Sequence, residues 1–252
     1  MAEGEGMISV IVPVRVDHEA FDFYVGSLAR CLQSLEDQEC PVAYETIVID
    51  YGSPARWWQE LRGVTRDMCS VFSHVDAPGW SRGGALNAGV RDSEGEILCF
   101  VDADVILPLD YLARHAQAQK ETARKGVKAA FSCPVYHLEG KAPSGALYSI
   151  LSDLPGKVCG GGWSHLSVGR DDFLSVGGFD ELYSGWGGED DDLIMRLKRH
   201  GVVWGKLDGA MPVHPRHRHY AEICQEIGRQ EEAMSPARNR ERYLGRLKGV
   251  QK

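Results

Sequence analysis

Four consecutive carboxylates, Glu189–Asp192, are the strongest chemical signal in this chain. They follow a loop of small residues with one tryptophan, Gly185–Gly188, and they lead into an apolar-periodic run that predicts a helix from about Glu189 to His200. Adjacent anions repel one another, so this cluster is either a solvated helix N-terminus, where the helix dipole favours negative charge, or a site where a carboxylate does chemistry. Taken alone, the cluster favours the acidic helix start.

A second pair of carboxylates, Asp102 and Asp104, ends a buried apolar run. An Asp-x-Asp pair in that position can put one carboxylate on a divalent cation and leave the other for a ribose or a metal-bound water. Downstream, Met211 and His214 add a thioether and an imidazole, which suit a borderline transition metal better than magnesium. Asp104, Met211 and His214 therefore predict a manganese site, with Mg²⁺ as the alternative ion.

Ordinary surface residues are the alternative for several of these assignments. His217 and His219 lie in the same His/Arg-rich stretch as His214 and are equally available, although His214 is the predicted ligand and the other two are expected to matter little. Arg15 follows the first predicted strand and Arg82 precedes a predicted helix, so both could reach the diphosphate of a nucleotide sugar. Exposed arginines without a ligand would look the same in the sequence.

Strands and helices alternate along the first half of the chain. Apolar and β-branched runs predict strands at 7–14, 44–50 and 96–101, and apolar residues at helical spacing predict helices at 21–35 and 83–90. Strands that alternate with helices pair in parallel through right-handed crossovers, so the sequence predicts an open α/β sheet. The polar, helix-prone stretch 220–252 predicts a helical appendage to this core.

Four polar residues share one position in the predicted sheet. Arg15, Asp50, Asp102 and Asp104 all lie at or just past the end of a predicted strand. In open α/β sheets, ligands bind beyond the carboxyl ends of the strands. The shared position therefore predicts a single site at that edge of the sheet.

Composition limits the classes of partner. The chain has 252 residues and a net charge of -8, and the segment 214–252 carries nine Lys/Arg against five Glu. An acidic body argues against nonspecific nucleic-acid binding, whereas the basic tail allows contact with an anionic ligand or a membrane surface. Seven scattered cysteines without a CxxC pair predict reduced thiols in a cytosolic protein. Met1–Gly6 is acidic and small, so no signal peptide is expected.

The motifs occur in the order found in a known family. In sequence they are Pro13–Arg15, Ser81–Gly89, Phe100–Asp104, Gly177–Asp180 and Gly185–Asp192. Together they resemble the GT-A glycosyltransferases of family 2, with a C-terminal half similar to the β-1,4-galactosyltransferase catalytic region, over roughly residues 8–214. The chain differs from these patterns at Tyr51, within the Asp50–Ser53 turn, and at Ser184, where the galactosyltransferases have another tryptophan.

The resemblance implies a role for each candidate residue. Asp190 would be the general base of an inverting transfer, and Glu189 would orient the acceptor or the donor sugar. Asp104, Met211 and His214 would bind manganese. The remaining implied contacts are Arg15, Asp50, Arg82 and Asp102 for the nucleotide-sugar donor, and Trp186, Gly187 and Gly188 for the substrate. Gly160–Trp163 is a candidate flexible lid.

The expected molecule is a single GT-A domain over 7–215, with a nucleotide-sugar-binding half at 7–128, an acceptor and catalytic half at 129–215, and a helical C-terminal extension at 216–252. The expected reaction is metal-dependent, inverting transfer of a hexose from a UDP-sugar to a hydroxyl of a glycan, a lipid-linked sugar, a peptide or a small molecule. A bacterial, cytoplasmic enzyme is expected, with peripheral contact at the inner face of a membrane left open.

Two other functions compete with this one. A catalytically inactive nucleotide-sugar-binding scaffold could keep the same fold. A haloacid-dehalogenase-like phosphatase is the second alternative, because Asp102–Val105 imitates the nucleophile motif of that class. That nucleophile belongs on the first strand, where this chain has Pro13 and Arg15 instead.

Overall fold

The computed structural model describes residues 6–140, 142–143, 148–159 and 165–249. The first half of the chain forms β1 (Ile8–Val14), α1 (Phe23–Glu36), β2 (Tyr44–Tyr51), α2 (Ala55–Thr65), β3 (Val71–Val75), α3 (Arg82–Arg91), β4 (Ile97–Phe100) and α4 (Tyr111–Arg124). The second half forms β5 (Ala129–Ser132), β6 (Val135–Leu138), α5 (Tyr148–Leu151), β7 (Gly156–Cys159), β8 (Leu166–Gly169), α6 (Arg170–Ser175), α7 (Glu189–Arg199), β9 (Val203–Lys206), β10 (Val213–His214), α8 (Tyr220–Glu226), α9 (Gln230–Ala233) and α10 (Ser235–Gly249).

A seven-stranded sheet organises these elements in the order β3-β2-β1-β4-β8-β5-β9. The pairs formed by β1 with β2, β2 with β3, β1 with β4, and β5 with β9 are parallel, and β8 runs antiparallel to both of its neighbours. A three-stranded sheet, β10-β6-β7, lies beside it. The predicted α/β fold with a mostly parallel sheet is confirmed.

Apolar residues cover both faces of the large sheet. All seven residues of β1 are buried, with Val10 and Val12 packed on one face and Ile11 on the other. The first face packs mainly against α1, α2 and α4, and the second packs against α3, α6 and α7. A strand buried on both faces must be apolar at every position, which is why β1 reads as a continuous apolar run.

The helix that begins with the carboxylate cluster starts at the predicted residue and ends one residue before the predicted His200. Helix α7 starts at Glu189 and stops at Arg199, and Gly201 follows in the left-handed conformation with φ +86°. Farther back, the strand-like stretch 129–135 divides into β5 and β6, which belong to different sheets. Pro134 lies between them and has no N–H with which to continue a ladder.

The C-terminal helices pack back against the core. Arg229, just before α9, pairs with Asp17 at 2.8 Å, and Arg246 of α10 pairs with Asp180 and Asp192 at 2.6 and 2.7 Å. These basic groups therefore bind carboxylates of the same chain, which leaves less free positive charge for the predicted membrane contact. Among the described residues, no helix is long and apolar enough to span a bilayer.

Candidate active site

A cavity opens beyond the carboxyl ends of β1 and β4. It is lined by Pro13, Val14, Arg15, Asp17, Phe21, Tyr24, Trp80, Arg82, Asp102, Ala103, Asp104, Trp186 and Tyr220. Five predicted site residues line it together: Arg15, Arg82, Asp102, Asp104 and Trp186. The position agrees with the rule that open α/β sheets bind ligands at this edge.

The end of β4 places Asp102 and Asp104 in the cavity. Val101 still donates its N–H to the carbonyl of Ile11, at 3.1 Å, and the chain then leaves the sheet. The next residues therefore project beyond the strand. Asp104 continues toward Ile106, which exchanges backbone hydrogen bonds of 2.9 Å with Val213. That exchange brings β10, and with it His214, next to Asp104.

Asp104, His214 and His217 form a compact group of metal-ligand type. The Nε2 atom of His217 lies 3.0 Å from Asp104 Oδ2, and the Nε2 atom of His214 lies 3.6 Å from the same oxygen. The two Nε2 atoms are 3.2 Å apart. One carboxylate oxygen and two imidazole nitrogens that converge in this way fit a first-row transition metal, because both nitrogens can offer lone pairs to one cation.

Charge pairing dominates the electrostatics of this group. Burial raises the pKa of Asp104, but His214 and His217 outweigh it and hold that pKa well below its ordinary value. Burial lowers the pKa of His214, and the Asp104 carboxylate reverses this effect, so the net shift is upward. The site is thus built to keep the carboxylate ionised beside positive charge.

The structure corrects the ranking of the histidines. His217, which the sequence treats as incidental, lies closer to Asp104 than the predicted ligand His214 does. His219 instead caps α8 and contacts the edge of Trp186, with ring centroids 4.7 Å apart. The available signal was the His-x-x-His spacing of His214 and His217. The backbone carbonyl of Met211 accepts a hydrogen bond from the Tyr148 hydroxyl at 2.8 Å, and its role as a thioether ligand stays a prediction.

Arg82 joins the two carboxylate motifs of the sequence. Its Nε donates to Asp102 Oδ1 at 2.7 Å and its Nη1 donates to Asp190 Oδ1 at 2.8 Å, with Glu189 Oε1 at 3.9 Å from Nη1. The side chain is buried, and the carboxylates outweigh that burial to raise the pKa of Arg82 above its ordinary value. A donor diphosphate would have to compete with these carboxylates, so the predicted diphosphate contact of Arg82 stays a prediction.

The four acidic residues of α7 have different surroundings. Glu189 and Asp192 are buried, with exposures of 4% and 0%, which does not fit a solvated acidic helix start. Asp192 is held by Arg196 and Arg246, each at 2.7 Å, and thus fastens α7 to the fold. Asp191 is exposed. Of these four residues, Asp190 is the one that lies within hydrogen-bond distance of Arg82.

Neighbouring charges act differently on the pKa values of Glu189 and Asp190. Burial and the Asp190 carboxylate raise the pKa of Glu189 to about 8, with Arg82 opposing the shift. Burial raises the pKa of Asp190 as well, and the Arg82 guanidinium, which donates a hydrogen bond directly to Asp190, opposes that rise. With a pKa of about 8, Glu189 is mostly protonated near neutral pH, whereas Asp190 is paired directly with the Arg82 guanidinium at 2.8 Å. Two carboxyl groups with such divergent environments suit an acid and base division of roles.

Asp50 does not reach the cavity. Its carboxylate is fully buried, with Oδ2 2.7 Å from His74 Nδ1 and Oδ1 accepting the N–H of Ser53 at 3.3 Å. Burial raises its pKa, and the bonds to Ser53 and His74 oppose the shift. The bonds to His74 and Ser53 occupy the carboxylate in this conformation, and the contact between Asp50 and the nucleotide base stays a prediction.

Arg15 lines the cavity, and the described residues use only part of the hydrogen-bonding capacity of its guanidinium group. Its Nε pairs with Asp17 at 2.8 Å, whereas its Nη1 is buried and has no hydrogen-bond partner among the residues that the structure describes. A buried guanidinium N–H without a partner costs free energy, so this atom is well placed to bind an anion or a carbonyl oxygen. Asp17, which the sequence did not single out, also accepts from Arg229 and thereby links Arg15 to the C-terminal helices.

Trp186 lines the cavity on the α7 side, and Gly187 and Gly188 follow it in the turn before α7. Trp186 is 47% exposed. Gly187 and Gly188 have φ values of +88° and +91°, which residues with a Cβ rarely adopt. The turn thus presents the ring and then starts α7 at Glu189. The predicted lid, Gly160–Trp163, lies outside the described residues.

Two family models together match residues 9–220, the range that contains the predicted site residues. Residues 9–144 match glycosyl transferase family 2, and residues 144–220 match a model described as the N-terminal domain of galactosyltransferase. The chain belongs to glycosyl transferase family 2. This membership confirms the resemblance read from the motifs and leaves the phosphatase alternative without support.

Curated relatives agree with the family. Validoxylamine A glucosyltransferase of Streptomyces hygroscopicus subsp. jinggangensis is 25% identical over 229 residues, which cover 78% of this chain and 52% of that protein. Chondroitin sulfate N-acetylgalactosaminyltransferase 2 of Homo sapiens is 30% identical over 132 residues, 48% of this chain and 23% of that protein. The chain spans about half the length of the validoxylamine A glucosyltransferases it matches.

Solved structures share the family fold. A mannosyltransferase from Pyrobaculum calidifontis in complex with GDP-Man and Mn²⁺ superposes with a TM-score of 0.58 and 22% identity, covering 87% of this chain and 60% of that one. TarS from S. aureus in complex with UDP-GlcNAc gives a TM-score of 0.61 and 18% identity, with coverage of 91% and 69%. At these identities the likeness establishes the GT-A fold.

Proposed function

We propose that this chain is a metal-dependent, inverting glycosyltransferase that moves a hexose from a UDP-sugar to an acceptor hydroxyl. The observation that carries the proposal is that two groups meet at one cavity. Asp104, which lines the cavity, belongs to the metal-type group with His214 and His217. Arg82, which also lines it, joins the carboxylates of Asp102 and Asp190. Two structural neighbours support a nucleotide-sugar donor: one is a complex with GDP-Man and Mn²⁺, and the other, with UDP-GlcNAc, supports the choice of a UDP-sugar.

Asp190 would act as the general base. The acceptor oxygen forms its bond to the anomeric carbon while the bond from that carbon to the diphosphate oxygen breaks, and the hydroxyl proton passes to the Asp190 carboxylate. Attack from the face opposite the diphosphate inverts the anomeric centre. Arg82 favours the ionised form of Asp190 before the reaction, because it donates to Oδ1 at 2.8 Å.

Glu189 would contribute as a neutral acid. Burial and the neighbouring Asp190 raise its pKa to about 8, so at pH 7 it carries a proton. A protonated carboxyl group can donate a hydrogen bond to a sugar hydroxyl, which an ionised one cannot do. Glu189 therefore orients a sugar, while Asp190 takes the proton.

Asp104, His214 and His217 would hold the cation, whose charge would offset the negative charge that develops on the departing diphosphate. Two imidazoles favour Mn²⁺ over Mg²⁺, because magnesium prefers oxygen ligands. Met211 stays a proposed additional ligand. Arg15 would supply its unpartnered Nη1 to the donor nucleotide.

The two proposed halves of the domain would divide the work between donor and acceptor. Residues 7–128 would bind the nucleotide sugar, and residues 129–215 would carry the acceptor side and the base. The segment after residue 215 would complete the site, since it supplies His217 to the metal-type group and Tyr220 to the cavity lining.

Release of UDP tests the proposal without knowledge of the acceptor. Purified protein is incubated with a panel of UDP-hexoses and their N-acetyl forms, with GDP-mannose as a comparison, in Mn²⁺, Mg²⁺ or EDTA. UDP release that needs a divalent cation and is lost in Asp104→Asn supports the proposal, and Asp208→Asn is the matched control at an exposed aspartate. Nucleotide binding without any release would favour the inactive scaffold, and release in EDTA would refute metal dependence.

A further inference from the structure

Two buried polar side chains of α10 bind the backbone of the tryptophan loop, defined as residues 184–188. Ser235 and Asn239 are 0% and 1% exposed. The Trp186 N–H donates to Ser235 Oγ at 3.0 Å, and Asn239 Nδ2 donates to the carbonyls of Ser184 and Trp186 at 3.1 and 3.2 Å. These three bonds satisfy backbone groups of the loop and hold it against α10.

The tryptophan loop is shaped to let α10 come close. Gly185 has φ +76°, and a Cβ at that position would overlap the Ser235 side chain. At Gly188 a Cβ would lie 3.3 Å from Asn239 Cβ. On its other side, the loop is held by the Gly185 N–H, which donates to the Trp80 carbonyl at 2.7 Å. The loop backbone is thus clamped between the cavity wall and α10.

The clamp leaves the Trp186 ring at the cavity mouth. Trp186 is nearly half exposed, although its backbone N–H and carbonyl both bind α10. An aromatic side chain on a fixed backbone loses little conformational entropy when a ligand packs on it. Because α7 begins directly after Gly188, the same loop fixes the ring relative to Asp190.

We propose that Ser235 and Asn239 are positioning residues that hold Trp186 for the acceptor. They keep the ring where an acceptor that packs against it presents its hydroxyl to Asp190. This inference rests on the proposed function. Loss of either clamp lowers the fraction of molecules with the loop in place, and the apparent affinity for the acceptor falls by that fraction. An ordered fraction of one tenth raises the acceptor KM about tenfold.

The test uses the full chain with two substitutions and a control. Asn239→Asp keeps the size of the side chain but replaces the donating amide by a carboxylate that faces two carbonyls. Ser235→Ala removes the oxygen that accepts from Trp186. Arg240→Ala changes an exposed residue of the same helix and serves as the matched control.

Amide hydrogen exchange is the first measurement, because it needs no activity. A peptide covering 183–189 should exchange faster in both variants and at the wild-type rate in Arg240→Ala. Unchanged exchange in Asn239→Asp and Ser235→Ala would overturn the proposal. This result stands even where the wild-type chain releases no UDP, an outcome that counts against the proposed function alone.

Kinetics with p-nitrophenyl hexosides as acceptor probes is the second measurement. The ratio of acceptor KM to donor KM should rise about tenfold or more in both variants. Faster exchange with an unchanged ratio would overturn the acceptor role. A lower melting temperature with a lower kcat and the same ratio would show that the two side chains only stabilise the fold, which also overturns the proposal.

Discussion

Replacing Glu189 by glutamine should stabilise the fold, and the gain should grow with pH. Glu189 is 96% buried beside Asp190, and the structure raises its pKa from the ordinary 4.5 to about 8. The unfolded chain therefore releases this proton at lower pH than the folded chain does. Stability contributed by the protonated group is complete below pH 4.5 and is lost as pH rises toward 8. Glutamine resembles the protonated acid and avoids this loss.

The magnitude follows from linkage. Each pH unit between the two pKa values changes the free energy of unfolding by about 1.4 kcal/mol. The advantage of Glu189→Gln over wild type should thus grow by about 3 kcal/mol between pH 5.5 and pH 7.5. Groups that do not interact with Glu189 titrate alike in both proteins and cancel in the difference.

Urea unfolding followed by circular dichroism at four or five pH values measures this difference. Glu241→Gln, an exposed carboxylate of α10, is the control and should show a flat difference across the range. A flat difference in Glu189→Gln would refute the raised pKa, and with it the assignment of Glu189 as the neutral acid. Asp190 would then share the site with a second anion.

Three further predictions concern the proposed roles of site residues. Asp190→Asn should lower kcat by ~10²–10⁴ with Mn²⁺-UDP affinity largely kept, as measured by transfer kinetics and calorimetry; near wild-type turnover would remove the base. His217→Ala should weaken Mn²⁺ binding in calorimetry by ~10-fold or more, as His214→Ala should, whereas a weaker effect than that of His219→Ala would exclude His217 as a ligand. Asp50→Asn should lower the free energy of unfolding by ~1–3 kcal/mol with UDP affinity unchanged; a selective loss of UDP affinity would restore Asp50 to the donor site.

The sequence alone determined the architecture and the edge where the site lies. A continuous apolar run and apolar residues at helical spacing can both be recognised within a short stretch of sequence. These local patterns are enough to define a strand such as β1 and a helix such as α7. Residues just past a strand, such as Asp102 and Asp104, then fall at the carboxyl edge whatever the packing, because parallel strands end on the same side. The carboxylates of the α7 N-terminus were visible for the same local reason.

Only the tertiary structure decided which side chains meet. Arg82 and Asp190 are 108 residues apart, and no local pattern records their contact. Asp50 satisfies the strand-end rule, yet a partner on the neighbouring strand, His74, occupies its carboxylate.

In the sequence, His217 is one of several similar histidines. The backbone bridge between Ile106 and Val213, which the sequence does not show, places β10 next to Asp104. The C-terminal helices read as an appendage because the sequence gives their polarity but not the surface they cover. Contacts between distant segments depend on how whole elements pack, and a linear pattern carries no measure of that geometry.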